Sequence, residues 1–370
     1  MASITSTEHR ETISSSLQDS KCFVRDALDQ LSTCQIFDNS RFSPDGWELL
    51  HHGLRSSVAK GTMRTEERTE AIIVKNIRPG PDCQSTQEAA IVVENELIIW
   101  NRLHNHANIV SFLGLANLEL SLVEMRGCAS HHGMAVSKYH SGGSLHQIMF
   151  NKPRGIEIST PTMRLAWVRR NEYYMYQVTR LFNSSLGLFE GFNIFTSNVM
   201  FDMDETWHAK IGDFGCSRIV CRAGCDHPGK NMATPANVAW DSPELYSPQQ
   251  PARSFSSDIW TFGCLALEVQ MGRLPYTGTA PRNLMWIQRR MLQGHLPATA
   301  SDVYSIVENE RVSKLVWSVI QQCWSLDTHA RPSASNLVNQ LERIQSDCTG
   351  ATRDIGMVDL RLVNTSQVEH

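Results

Sequence analysis

The chain has 370 residues of ordinary globular composition, of which 41% are hydrophobic and 19% are charged. Its 34 basic and 38 acidic residues leave a net charge of −4, and no block of like charge occurs, which excludes a basic nucleic-acid arm and a polybasic membrane patch. No apolar run reaches the length of a membrane span, the N-terminus has no apolar signal core, and the ten cysteines follow no framework spacing. We therefore expect a cytoplasmic protein with reduced thiols.

The first 43 residues are rich in serine and threonine and are predicted to form an extension that carries one short helix. Apolar side chains recur within it at helical spacing, at Phe23, Val24, Ala27, Leu28 and Leu31. A helix packed on the body of the protein is favoured over a partner-binding helix.

Residues 44–139 are predicted to form a small lobe of five strands and one long helix. The β-branched, apolar run at residues 71–75 is typical of a strand, and a loop with two prolines and a glycine follows it. Residues 85–103 then show the helical period. The inward side of this helix is predicted to consist of Val93, Leu97, Trp100 and either Leu103 or His104.

Residues 140–346 are predicted to form a larger, mostly helical lobe. One hairpin interrupts the helices, with strands at residues 198–201 and 208–211. The helix predicted from residue 259 ends at Gly272 and is hydrophobic on all sides, which is typical of the buried axis of a lobe.

A last helix is predicted over residues 335–344, where Leu337, Val338, Leu341 and Ile344 are in phase. Residues 347–370 show no period and are expected to form a tail. The length suits one large two-lobed domain or two smaller domains, and no internal repeat divides the chain.

A series of short motifs occurs along the chain in a characteristic order. The series consists of Lys75, Glu96 and residues 106–110, 141–145, 210–215, 241–244, 257–263, 323–324 and 330–333. Together these motifs resemble the protein kinase family over about residues 44–346, and the Cys-Trp and Arg-Pro-Ser ending is similar to the tyrosine-kinase-like group and to tyrosine kinases. The resemblance implies the two-lobed, α+β protein-kinase fold, with a β-rich N-lobe that carries one long helix and a helical C-lobe.

The same resemblance implies a site for Mg-ATP. In kinases a strand lysine pairs with the nucleotide phosphates and a helix glutamate holds that lysine; Lys75 and Glu96 match these positions. The aspartate of Asp-Phe-Gly and an asparagine of the catalytic loop bind magnesium, and Asp213 and Asn198 match them.

The roof and hinge of the implied cleft are placed by the same alignment. A glycine-rich loop aligned on Val58 falls at residues 51–58, where Gly53 alone is retained. Ile73 replaces the alanine that packs on adenine, and this added volume is expected to weaken nucleotide binding. The gatekeeper and hinge positions, where backbone groups would contact adenine, are Ser137 and then Lys138, Tyr139 and His140.

Further matches imply structural roles only. Glu244 and Arg331 match a buried ion pair of the helical lobe, and Asp258 matches the helix-start aspartate that ties down the catalytic loop. These residues hold the lobe together and do not bear on activity.

The catalytic loop departs from the kinase pattern. Counting back from Asn198 places Asn193 at the base aspartate, Phe195 at the supporting lysine and Phe192 at the arginine that reads a phosphorylated activation segment. An amide cannot accept the substrate hydroxyl proton at neutral pH, and a phenyl ring carries no charge. Asn237 replaces the threonine that bonds to both groups, so one hydrogen-bonded unit differs as a whole.

These departures favour a pseudokinase that acts in signalling by binding nucleotide or an unidentified protein partner. The alternative is an active, ATP-dependent protein kinase of unusual catalytic geometry, acting on serine, threonine or tyrosine of protein substrates. A third hypothesis is a nucleotide sensor in which Lys75, Asn198 and Asp213 retain Mg-ATP, and binding shifts the lobes. No nucleic-acid or membrane partner is expected.

Overall fold

The computed structural model describes residues 34–53, 55–78, 86–118, 134–150, 189–190, 194–201, 209–219, 237–249, 253–276, 283–304 and 310–351. Within these ranges most strands come first and most helices follow, which gives a sheet-rich N-terminal lobe and a helical C-terminal lobe. The predicted α+β class and two-lobed arrangement are thereby confirmed.

One sheet forms the N-terminal lobe. Its strands are β1 (Ile36–Phe37), β2 (Glu48–His52), β3 (Ser56–Arg64), β4 (Thr69–Ile77), β5 (Phe112–Ala116) and β6 (Met134–Lys138). The six strands lie in the order β1-β5-β6-β4-β3-β2. All neighbours are antiparallel except β1, which runs parallel to β5. The five strands predicted between residues 44 and 139 are present as β2 to β6.

A short segment before residue 44 packs on the outer face of this sheet. Phe37 and Phe42 are each 7% exposed, and their rings meet edge to face with centroids 6.3 Å apart. Trp47 lies against Gly61, where a Cβ would stand 2.5 Å from the indole ring, so only glycine fits beneath it. Sequence reasoning missed strand β1, which lies in this segment. The helix predicted around residues 23–31 lies outside the described residues.

The long helix α1 (Thr86–Leu103) packs its predicted side inward. The four apolar residues of that side, Val93, Leu97, Trp100 and Leu103, are all buried. They belong to the main apolar cluster, which continues from this helix into the C-terminal lobe. The helix is therefore fixed against both lobes.

The C-terminal lobe carries short strands near the cleft and helices below them. The strands are β7 (Gly143–Ser144), β8 (Phe189–Glu190), β9 (Val199–Phe201), β10 (Ala209–Ile211) and β11 (Arg218–Ile219). The helices are α2 (Leu145–Phe150), α3 (Phe255–Met271), α4 (Leu284–Leu292), α5 (Ala300–Tyr304), α6 (Glu310–Cys323) and α7 (Ala334–Ala351). Strands β9 and β10 form the predicted hairpin, whose turn lies outside the described residues.

Helix α3 is the buried axis of this lobe, as predicted, although it begins about one turn earlier. Ser254 caps it in a reciprocal arrangement with Ser257, in which each backbone N–H donates to the other residue's hydroxyl. Gly272 ends the helix in the left-handed conformation, with φ of 60°. Gly263 allows close approach of α6, since a Cβ there would stand 2.8 Å from the Trp324 indole.

Helix α7 is longer than predicted, because it continues past Ile344 to Ala351. The apolar period stops at Ile344, and the following turns are polar, so periodicity could not show them. The rest of the predicted tail, residues 352–370, lies outside the described part of the chain. Among the helices that are described, none has the length and apolarity needed to span a membrane.

Candidate nucleotide cleft

Lys75 lies at the centre of the cleft between the lobes, on β4. Its Nζ is 2.6 Å from Glu96 Oε1 on α1 and 2.7 Å from Asp213 Oδ1, which follows β10. Lys75 is 7% exposed and Glu96 is 3% exposed, whereas the Asp213 side chain is 44% exposed. The contact between Lys75 and Glu96 expected from the resemblance is therefore confirmed, and Asp213 joins it.

The electrostatics of this triad follow from its burial and its charges. Burial disfavours the ammonium, but the carboxylates of Asp213 and Glu96 outweigh burial and raise the pKa of Lys75. Burial also opposes ionisation of Asp213, but Lys75 dominates and lowers the pKa of that carboxyl. For Glu96 burial dominates and raises the pKa despite the neighbouring ammonium. Lys75 thus forms ion pairs with both Glu96 and Asp213.

The Asp-Phe-Gly segment is packed inward beside α1. Phe214 is fully buried, with its ring centroid 6.2 Å from that of Trp100. Asn95 Nδ2 donates to Ser217 O at 2.7 Å, which ties α1 to the chain after this segment. Gly215 is held so close that a Cβ would stand 3.0 Å from Glu96 Oε2. This packing keeps Asp213 turned toward Lys75.

Asn198 and Asp213, the implied magnesium ligands, lie at the same end of the β9–β10 hairpin. The pairing of Val199 with Ile211 places Asn198 next to Gly212, whose N–H donates to Asn198 O at 2.9 Å. An amide oxygen and a carboxylate oxygen are ligands of the kind that magnesium takes. This end of the cleft therefore fits the metal that the resemblance implies.

The adenine end is shaped by β3, β4 and β6. Ile73 lies directly opposite Ser137, and Val58 lies opposite Lys75. Directly opposed side chains share one face of a sheet, so the bulk of Ile73 has the small Ser137 hydroxymethyl beside it.

Of the expected hinge residues, Lys138 ends β6, and Tyr139 and His140 follow it directly. The Tyr139 N–H donates to Ala71 O at 3.4 Å, so its backbone is drawn toward β4. Lys60, which sequence reasoning missed, lies with its Nζ 4.4 Å from the centroid of the Tyr139 ring. Lys60 stands two residues after Val58 on the same strand, and that spacing was the available signal.

The catalytic loop is described from residue 194 onward, so Asn193 and Phe192 lie outside the described residues. Phe195, at the implied lysine position, packs its ring on Trp240 with centroids 5.4 Å apart. An aromatic contact thus stands where the resemblance implies an ammonium group. Asn237 lies four residues from Asp241, and its N–H donates to Asp241 Oδ2 at 3.2 Å.

Beneath this contact lies Glu268 of α3, which sequence reasoning missed. Its carboxylate accepts a hydrogen bond from Thr196 Oγ1 at 2.5 Å and another from Trp240 Nε1. Burial raises the pKa of Glu268 to about 7. An acidic residue within the apolar stretch of residues 259–271 was the signal that could have identified it.

Two ion pairs fix the helical lobe around the cleft. Arg331 donates from Nη1 and Nη2 to the two carboxylate oxygens of Glu244 at 2.7 and 2.8 Å, as expected. Arg253 Nη2 lies 2.5 Å from Asp241 Oδ1, and both of these side chains are almost fully buried. The second pair was not foreseen, because Arg253 lies outside the motifs of the series and the resemblance assigned no partner to Asp241.

Comparison with known proteins agrees with this geometry. The family model for protein tyrosine and serine/threonine kinases matches residues 47–341. The chain is 26% identical over 303 residues to the mitogen-activated protein kinase kinase kinase MCK1 of Pyricularia oryzae, covering 79% of this chain and 17% of that protein. It is 23% identical over 309 residues to mitogen-activated protein kinase kinase kinase 10 of Xenopus laevis, covering 80% of this chain and 26% of that protein.

A third relative is the serine/threonine-protein kinase VIK of Arabidopsis thaliana, 22% identical over 310 residues, with 81% of this chain and 62% of that protein covered. The chain thus spans less than two thirds of the length of each of these relatives. From its motifs, its cleft and these matches, we conclude that the chain belongs to the protein tyrosine and serine/threonine kinase family, in the tyrosine-kinase-like group.

Proposed function

We propose that this chain is a pseudokinase that acts in the cytoplasm, where it signals by binding a nucleotide or a protein partner. The observation that carries the proposal is the packing of Phe195 on Trp240 at 5.4 Å. Phosphoryl transfer depends on charge that balances the transferring group, and Phe195, which the alignment assigns to the lysine position, brings an uncharged ring.

The base position supports the same proposal. Asn193 stands there in the sequence, and general-base help contributes about 10²–10⁴-fold to rate. With neither the base nor the balancing charge, activity is expected near background. Asn237 replaces the threonine of the same unit, whose side chain would bond to both the base and the lysine.

The donor half of the cleft supports nucleotide binding. Lys75 is held by Glu96, as kinases require for phosphate contact, and Asn198 with Asp213 would hold magnesium, which neutralises phosphate charge when bound. This intact half is also the observation that favours the second candidate, an active kinase acting on protein substrates. The acceptor half distinguishes the two candidates, and it favours the pseudokinase.

Phosphate incorporation into a generic protein substrate and into the chain itself tests the proposal. The full-length chain with radiolabelled Mg-ATP is expected to give background incorporation. The triple variant Asn193→Asp, Phe195→Lys, Asn237→Thr is expected to gain incorporation, whereas each single change is not, because such residues act as a unit. Adding Lys75→Ala to the triple variant serves as the control and should remove the gain.

Robust incorporation by the unaltered chain, lost in Lys75→Ala alone, would overturn the proposal and establish the active kinase instead. Circular dichroism of each variant confirms that the fold is retained, so that an absence of activity reports on the site.

A further inference from the structure

The turn between β2 and β3 forms the roof of the cleft, and hydrogen bonds from Arg78 hold this turn in place. It is closed by its own backbone, with Gly53 N–H donating to Ser56 O at 2.9 Å. Arg78, just after β4, then binds it at several points: its N–H donates to Arg55 O at 2.7 Å, and its Nη2 donates to Ser56 O at 3.0 Å and to Gly53 O. The roof is thereby fixed to the end of the strand that carries Lys75.

This arrangement also removes a donor from the roof. Backbone amides of a glycine-rich loop normally point at phosphates. The Gly53 amide is instead used within the turn, and the Gly53 carbonyl is bound by Arg78. The roof therefore has one phosphate donor fewer and little freedom to rise.

The side chain of His51 points into the cleft from this roof. His51 pairs with Val58, and Val58 pairs with Lys75, so these three side chains share one face of the sheet. His52, the next residue, faces the other way, with its Nδ1 2.9 Å from the hydroxyl of the buried Ser57. Successive strand residues point to opposite faces, so the two histidines provide a natural comparison.

The position of the His51 ring is fixed by two further observations. A Cβ at Gly53 would stand 2.6 Å from His51 Nε2, so the imidazole lies against Gly53 beneath the turn. After burial and Lys75, His51 is also among the groups that influence the pKa of the Asp213 carboxyl. The ring therefore lies beneath the turn, on the face of the sheet that carries Lys75.

We propose that His51, on a roof fixed by Arg78, closes the phosphate half of this cleft, so that the cleft binds a neutral nucleoside in preference to a nucleoside triphosphate. The inference rests on the proposed nucleotide-binding function and specifies its ligand class. The imidazole takes space that a glycine at this position would leave open. Charge acts in the same direction, because Lys75 already has Glu96 and Asp213 as partners and Phe195 adds no cation.

Titration of the full-length chain with adenosine, ADP and Mg-ATP tests this inference. The unaltered chain is expected to bind adenosine about tenfold more tightly than Mg-ATP, a difference of about 1.4 kcal/mol. His51→Ala should raise Mg-ATP affinity about tenfold and change adenosine affinity little. His52→Ala, the same change on the opposite face, should alter neither. Arg78→Met should act in the same direction as His51→Ala, since it frees the roof.

Three results would overturn the inference: tighter binding of Mg-ATP than of adenosine by the unaltered chain, weaker binding of Mg-ATP by His51→Ala, or no binding of either ligand by any variant. The His51 variant changes an exposed side chain, so its result does not depend on a folding defect. Failure here is distinct from failure of the proposed function, which is measured by phosphate incorporation.

Discussion

Glu268 shows how one buried residue links separate parts of the C-terminal lobe. It is fully buried in α3, and its two hydrogen bonds reach the catalytic loop at Thr196 and the chain before helix α3 at Trp240. No basic side chain forms an ion pair with it among the described residues. Burial favours the protonated form of this carboxyl and outweighs the two hydrogen-bond donors, which favour the carboxylate. The lobe therefore contains a group whose pKa is raised to about 7.

This gives a pH dependence of stability with a definite sign. The folded chain holds the Glu268 proton up to about pH 7, whereas the unfolded chain releases it near pH 4.3. Between these values the folded state binds more protons, so Glu268 lowers the free energy of unfolding as pH rises, by about 3 kcal/mol over the interval. Above pH 7 its contribution is flat.

Glu268→Gln should therefore flatten the fall in stability between pH 5 and pH 7, because an amide does not ionise. Urea unfolding at pH 5.0, 6.0 and 7.5 measures the difference between variant and wild type, which cancels the other titrating groups. The exposed Glu67→Gln is the matched control and should retain the wild-type slope. Equal slopes for wild type and Glu268→Gln would contradict the expectation.

At the scale of elements, periodicity predicted the parts whose apolar pattern continues over several turns or strand residues. The inward side of α1 and the apolar α3 were confirmed for this reason. The two-residue strand β1 is too short to show a period, and its place depends on pairing with β5, far along the chain. The sequence at the C-terminal end of α7 is polar and shows no apolar period, so the extension of this helix to Ala351 could not be predicted either.

The same reason separates what was predicted of the cleft from what was not. Lys75, Glu96 and Asp213 belong to sequence motifs, and the structure brings them together. Arg78 and Glu268 act through partners that are far from them in sequence. Their roles appear only when the sheet register and the helix packing are known.

The segment that carries β1 is expected to stabilise the N-terminal lobe. Phe42 is 7% exposed and contacts Phe37 and Trp47, so Phe42→Ala should lower the free energy of unfolding by about 3–5 kcal/mol. Ile36→Ala, six residues earlier, is the control, since Ile36 is 63% exposed. Chemical unfolding of the full-length chain measures both changes. Similar small losses for the two variants would show that this segment is not part of the core.

At the scale of the whole molecule, Lys75 connects the two lobes. It belongs to the sheet of the N-terminal lobe, it binds Glu96 on α1, and it binds Asp213 of the C-terminal lobe. Phe214 extends this connection by packing on Trp100. A single ammonium group thus holds the helix and both lobes in one arrangement, with or without catalysis. This is a structural role for the Lys75 network that does not depend on phosphoryl transfer.

Replacing Lys75 by methionine should therefore loosen α1 and the joint between the lobes. Removing one member of a buried pair leaves the Glu96 carboxyl without compensation, which costs about 3–5 kcal/mol. Backbone amide hydrogen exchange should accelerate in residues 92–103 and around Phe214, whereas exchange in α3 should change little. Lys60→Met is the matched control, because Lys60 lies on the neighbouring strand and its partner Glu48 is a surface carboxylate 3.8 Å away. If Lys75→Met and Lys60→Met gave the same exchange pattern, the joint between the lobes would have to be held by the apolar contact of Trp100 and Phe214 instead.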